Sequence, residues 1–333
     1  MTQTLKTHIA HFLNKRIVVI GDVILDEYLT GRATRMSREA PIPVLEFEAR
    51  QHIPGGAANP AANMAALGAN AVQIGVVGRD TAADHLREAM TTRGLNTDYL
   101  IVDDERPTTV KTRLMAHMGL RFPQQVARMD TISREPVRGR AAQQLFDAVR
   151  TEHAHADAIL FSDYRNGLIS AQLVTEVLRL TGKTAVLLTA DAQGDFSKYW
   201  GLALVKCNAA EAADHLGQPL NTDADFAEAA QALRARLQLT HGMVITRGGD
   251  GATAATPEAV YHCQAPFVTD VFDTVGAGDT AIAVITLALV AGASVPEAVT
   301  LANYASGLVV RKVGNYAPSP DELSWALDQW HRP

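Results

Sequence analysis

Short apolar runs that end in a polar or glycine residue alternate with helix-length segments along most of this chain, and that rhythm leaves few folds open. Strands are expected at 16–29 ("RIVVIGDVILDEYL", broken at Gly21-Asp22), 71–80, 156–164, 184–191, 202–208 and 242–249. Helices are expected at 141–152, 170–181, 209–216 and 224–237, with a Gly-Ala-rich stretch that turns helical over 54–70 and an almost wholly apolar helix over 281–290. Alternation of this kind implies an α/β protein with a mostly parallel sheet flanked by helices on both faces. The site of such a sheet lies beyond the carboxyl ends of its strands, and Asp22, Asp163, Asp191, Asn208 and Arg247 all fall at those ends.

Two stretches, 33–52 and 108–130, break the rhythm: they lack helical period, contain prolines and read as short extended segments. They are expected to meet as a small β lid, leaving 1–32, 53–107 and 131–333 as the α/β body. A chain of 333 residues, 47% hydrophobic and 20% charged, can bury a large core of ordinary soluble type. A net charge of −6 argues against nucleic acid as the main partner, so an anionic substrate needs a local basic patch. Two cysteines, Cys207 and Cys263, give neither a disulfide framework nor a cysteine metal site. No secretory leader or membrane span is expected, which makes the cytoplasm the default location.

The stretch "DTVGAGDTA" (273–281) sets Gly276, Ala277 and Gly278 at the amino end of the apolar helix. A helix start carries free N–H groups and partial positive charge, and small residues let a phosphate oxygen come close. A carboxylate there is repelled by phosphate unless it has a task, and Asp279 suits that of taking a proton from an attacking hydroxyl. The alternative is a glycine-rich turn with Asp279 as cap. Asn208 and Glu211, three apart at a helix start, can hold waters of a Mg²⁺ ion or form a cap with a surface glutamate. "TRGGDGA" (246–252) suits a nucleotide phosphate or a plain hairpin turn. Asp22 reads as a sugar ligand or a turn aspartate; Gly55, Gly56 and Asn59 of "PGGAAN" suit neutral hydroxyls or helix packing.

Taken in order, these segments resemble the ribokinase (PfkB) family of carbohydrate kinases over nearly the whole chain. The two signatures are "PGGAANPAANMAALGANAVQIGVVGRD" and "DTVGAGDTA". "GDVILDEYLTGRATRMSREAPIPV", "SDYRNG" and "KVGNYAPSP" are most similar to the branch that phosphorylates D-glycero-D-manno-heptose 7-phosphate at O1 for the ADP-heptose of bacterial surface polysaccharide. The resemblance implies a Rossmann-like ribokinase fold with a β lid, ATP and Mg²⁺ with a monovalent cation as a further option, and a homodimer formed through the lids. Its residue roles would make Asp279 the base and the N–H groups of Gly276, Ala277 and Gly278 an anion hole. Asp22, Gly55, Gly56 and Asn59 would hold the sugar. Thr246, Arg247, Gly249, Gly251, Asn208 and Asn303 would lie along the nucleotide, and Asn208 with Glu211 would organise Mg²⁺. Lys111, Arg113 and Arg128 of the lid offer counter-charges to a sugar phosphate, with exposed surface cations as the other reading.

The chain departs from that branch at several places. Val275 stands where a hydroxyl residue is usual, Asn166 where a lysine is usual, "TADAQG" replaces a D-P-K segment, and "KC" precedes Asn208 in place of threonine-proline. Arg165 and Lys206 are candidates to replace the missing cations. A kinase for a hexose, another sugar phosphate or a nucleoside is the nearest rival, although the lid offers a base little to stack on beyond Phe47 and Phe122. A silent sugar sensor on the same fold is opposed by the intact Asp279. A dinucleotide oxidoreductase is opposed by the missing G-x-G-x-x-G. No nucleotidyltransferase unit is evident, so a heptose kinase of this kind would leave that later step to a separate chain.

Overall fold

The computed structural model describes residues 2–119 and 123–330. Phe122 lies outside the described residues. The chain runs α1 (Thr2–Ala10), β1 (Arg16–Gly21), β2 (Val23–Met36), β3 (Pro43–Gly56), α2 (Ala58–Ala66), β4 (Asn70–Val77), α3 (Thr81–Thr92) and β5 (Leu100–Val102). It continues through β6 (Val110–His117), β7 (Gln124–Thr131), α4 (Gly139–Glu152), β8 (Ala158–Ser162), α5 (Ala171–Thr181), β9 (Leu187–Asp191), β10 (Leu204–Asn208) and α6 (Ala209–Leu216). The last elements are α7 (Asp223–Leu237), β11 (Gly242–Thr246), β12 (Ala252–Ala255), β13 (Val260–Cys263), α8 (Ala277–Val290), α9 (Val295–Val309) and α10 (Pro320–Gln329).

The main sheet has the order β13-β12-β11-β10-β9-β8-β1-β4-β5, parallel from β11 to β5, with β12 and β13 added antiparallel at one edge. Strands with continuous apolar runs, such as Ile17–Ile20 and Ala158–Phe161, are buried on both faces, as a helix-covered parallel sheet requires. One hydrophobic cluster joins the sheet to α1, α2, α3, α8, α9 and α10, and the other joins it to α4, α5, α6 and α7. Parallel pairing sends the ends of β1, β8, β9, β10 and β11 to a single edge.

The four-stranded lid sheet has the order β3-β2-β6-β7. It is larger than the expected segments 33–52 and 108–130: β2 starts at Val23, and β3 ends at Gly56. The strand that reads as 16–29 is two strands in different sheets, separated by Asp22 alone. Apolar residues continue across that junction, because Val23, Ile24 and Leu25 are as buried as β1, and hydropathy therefore carries no mark of the change of sheet.

Candidate active site

Helix α8 lies along one face of the sheet, its amino end beside Lys206 near the carboxyl end of β10 and its later turns over β9, and is buried along almost its whole length, which is why its sequence shows no polar face. Two internal hydrogen bonds fix its placement: Thr280 Oγ1 to Asn63 of α2 at 2.9 Å, and Thr286 Oγ1 with Thr189 of β9 at 2.9 Å. Gly276, its N-cap, takes φ +82°, a conformation that residues with a Cβ rarely adopt. The N–H of Ala277 turns back to Thr274 O at 3.3 Å, and that of Thr280 reaches Gly276 O at 2.9 Å. Between them, the N–H of Gly278 has no backbone acceptor among the described residues. Of the three expected anion-hole donors, Ala277 is thus partly engaged within the turn.

Asp279 sits in the first turn of α8 at 9% exposure. Asn59 Nδ2 donates to its Oδ2 at 2.8 Å, and the Tyr164 hydroxyl donates to its Oδ1. Burial drives its pKa up to about 6, against the two hydrogen bonds, which favour the charged form. Asn59, expected to hold sugar, thus spends one amide hydrogen on Asp279. Tyr164, which no sequence argument marked, is its second support.

Asp22 follows β1 and is buried, and its carboxylate accepts the N–H groups of Tyr164 (2.9 Å), Asn166 (3.1 Å) and Leu168 (3.3 Å). It moors the loop after β8, so its oxygens are already engaged. Gly55 and Gly56 close β3 at the lid base, where a Cβ on Gly55 would lie 2.1 Å from Asp26 Oδ2. That buried carboxylate pairs with Arg113 at 2.5 Å and accepts from Asn315 Nδ2 at 2.7 Å. Asp26 and Asn315 escaped the sequence reading; the signal for Asp26 was a charge inside an apolar strand.

Lys111, Arg113, Arg128, Asp26 and Tyr28 share one face of the lid, because their positions are directly paired across β2, β6 and β7. Their availability differs. Arg113 is buried against Asp26 and stacked over Tyr28, and Arg128 is bidentate on Asp130 at 2.9 and 3.1 Å. Lys111 makes no hydrogen bond or ion pair among the described residues; its ammonium lies 5.0 Å from the Tyr164 ring centroid, and burial lowers its pKa. Arg165 is exposed, with φ +61° and its side chain along Gly194, and its guanidinium has no carboxylate partner among the described residues.

On the nucleotide side, Asn208 and Glu211 form a full capping box: Asn208 Oδ1 accepts the Glu211 N–H at 2.9 Å, and Glu211 Oε2 accepts the Asn208 N–H at 2.7 Å. Burial raises the pKa of Glu211. Arg247 is tied to Asp223 at 2.7 Å and stacked over Phe226 at 4.4 Å, so it is not a free phosphate ligand. Thr246 donates to Cys207 O at 3.3 Å; Gly249 and Gly251 form the β11–β12 hairpin turn; Asn303 donates to Cys263 O at 2.8 Å. Lys206, beside them on β10, is 4% exposed and bonds both oxygens of Asp191 at 2.9 Å. Burial pulls its pKa down, and the Asp191 carboxylate more than reverses this, so the ammonium persists. Among the described residues no three His, Cys, Asp or Glu side chains converge on a metal position. The carboxylate of Glu211 nevertheless fits an ion carried by phosphates, since one of its oxygens lies outside the capping box and burial leaves its charge short of solvation.

An anion cradle at a helix start with a buried carboxylate beside it, all at the carboxyl edge of a parallel sheet under a β lid, is the arrangement of a sugar kinase. A family model described as "pfkB family carbohydrate kinase" matches residues 14–322, and the chain belongs to that family. It is 35% identical over 95% of its length to the bifunctional protein HldE of Helicobacter pylori, and 38% identical over 94% to that of Azorhizobium caulinodans. The chain spans 67% and 64% of those relatives, about two thirds of their length. Among solved structures, phosphofructokinase-2 of Escherichia coli in complex with substrates and products shares the fold at TM-score 0.78 and 19% identity, covering 96% of this chain and 100% of that one. Ribokinase of Arabidopsis thaliana complexed with ribose and ATP does so at 0.73 and 20%, covering 95% and 99%. The protein is therefore a phosphotransferase with an alcohol acceptor.

Proposed function

We propose that this kinase transfers the γ-phosphoryl group of ATP to O1 of D-glycero-D-manno-heptose 7-phosphate. The observation that carries the chemistry is Asp279, buried at the amino end of α8 and held by Asn59 and Tyr164 with a pKa of about 6. A group of that pKa is ionised at neutral pH and still accepts a proton readily. As the acceptor oxygen bonds to phosphorus and the bond to ADP breaks, the acceptor proton passes to Asp279 and the electron pair leaves with ADP. Gly276 and Gly278 donate backbone N–H groups to the transferring phosphoryl oxygens. Asn208 and Glu211 would hold waters of the Mg²⁺ ion, which supplies charge to the nucleotide phosphates.

The acceptor assignment draws on the likeness to the heptose branch and on the HldE relatives, with Lys111 and Arg165 as the uncommitted cations for the 7-phosphate. Lid pairing in a homodimer is part of the same reading. It is supported by the exposed apolar side chains of the lid segment, Met36, Ile42, Phe47, Val126 and Met129. The deciding experiment is ATP turnover with Mg²⁺ against heptose 7-phosphate, fructose, fructose 6-phosphate, ribose and adenosine. Preference for the heptose phosphate is expected; preference for any other acceptor would transfer the machinery to that substrate.

A further inference from the structure

A buried ammonium beside the amino end of a helix is poorly placed for structure alone. The helix dipole puts partial positive charge at that end and favours anions there, so α8 opposes Lys206. The lysine is kept by Asp191, its direct partner across the parallel β9–β10 pair. Asp191 takes two of the three ammonium hydrogens, one on each oxygen at 2.9 Å, and the third has no acceptor among the described residues. Lys206 Nζ lies 3.1 Å from the position a Cβ on Gly278 would occupy. The ammonium thus lies against Gly278, whose own N–H has no backbone acceptor among the described residues, and Asp279 is near enough for its charge and that of Lys206 to act on each other.

We propose that Lys206 is a further catalytic residue, its ammonium donating to an equatorial oxygen of the transferring γ-phosphoryl group beside the Gly278 N–H. The proposal rests on the cradle being the phosphoryl site. Lys206 gains and loses no proton; it supplies charge where charge develops, from a buried position. Asp191 is its positioning residue, aiming the ammonium and cancelling its charge in the empty site.

The test compares Lys206→Met, Lys206→Arg, Asp191→Asn and the paired variant Lys206→Met/Asp191→Leu, which removes both buried charges together and so leaves none unpaired. Turnover is measured with the acceptor that the panel above identifies, along with binding of ADP alone and of ADP with aluminium fluoride, a mimic of the group in flight that needs no sugar. Lys206→Met and the paired variant should both lose about 10²–10³ in kcat. Both should bind ADP as before and ADP with aluminium fluoride about 10- to 100-fold more weakly. Lys206→Arg should recover part of the rate, and Asp191→Asn should keep most of it. Wild-type kcat in the paired variant would reduce Lys206 to a partner for Asp191, and a full loss in Asp191→Asn would move the role to Asp191; either overturns the proposal. Asp279→Asn, assayed alongside, separates the two readings: it should bind ADP with aluminium fluoride through Lys206 even though it has no base.

Discussion

Moving a carboxylate from water into the first turn of α8 costs free energy, and at Asp279 the cost appears as a pKa raised from 3.8 to about 6, chiefly by burial. As the proposed base, Asp279 acts in its ionised form, so kcat/KM for the acceptor should climb as pH rises through about 6 and level off above it, measured at saturating ATP and constant ionic strength. Asp279→Asn should lower kcat by at least about 10²–10⁴ at pH 7.5, and wild-type turnover in a folded variant would remove Asp279 from its role. Stability should move the other way. Because the folded state binds the proton more tightly than the unfolded chain, the favourable contribution is complete below 3.8 and lost as pH rises through about 6. At about 1.36 kcal/mol per pH unit, the ionised group costs on the order of 3 kcal/mol above pH 6. Thermal unfolding of Asp279→Asn should therefore exceed wild type at pH 8 and converge with it near pH 4.

At the scale of elements, β6 carries two cations with opposite duties. Arg113 closes a buried ion pair with Asp26, and Asp26 also ties the lid to Asn315 in the loop after α9. Arg113→Met leaves that carboxylate unpaired and should lose about 3–5 kcal/mol of unfolding free energy in denaturant titrations. Lys111 is uncommitted, so Lys111→Met should leave stability almost unchanged and raise KM for a phosphorylated sugar about tenfold or more. Equal KM effects without a stability difference would refute this division of labour. The sequence marked both residues as basic lid positions. It gave no sign that one was already paired, because their shared face depends on the register of β2 against β6.

At the scale of the molecule, the lid sheet leaves Met36, Ile42, Phe47, Val126 and Met129 exposed, an apolar set that a second lid would cover. Sedimentation should give a dimer, and Phe47→Glu should shift it to monomer while the melting of the α/β body changes little. A monomeric wild type at micromolar concentration would reject the lid-paired dimer.

Hydrophobic period and punctuation in the sequence determined the parallel sheet, its flanking helices, the Gly-Ala-Gly cradle and Asp279, because each depends on neighbours close along the chain. Only the tertiary structure decided which polar residues were free. Asn59 and Tyr164 meet Asp279 from more than a hundred positions away. Asp22 gives its oxygens to the loop after β8, and Arg247 is spent on Asp223. Lys206 reaches the amino end of α8 because β10 lies beside β9 and α8 starts at their carboxyl ends before running back over β9. A charge's partner is set by distance in space, which the order of residues does not record.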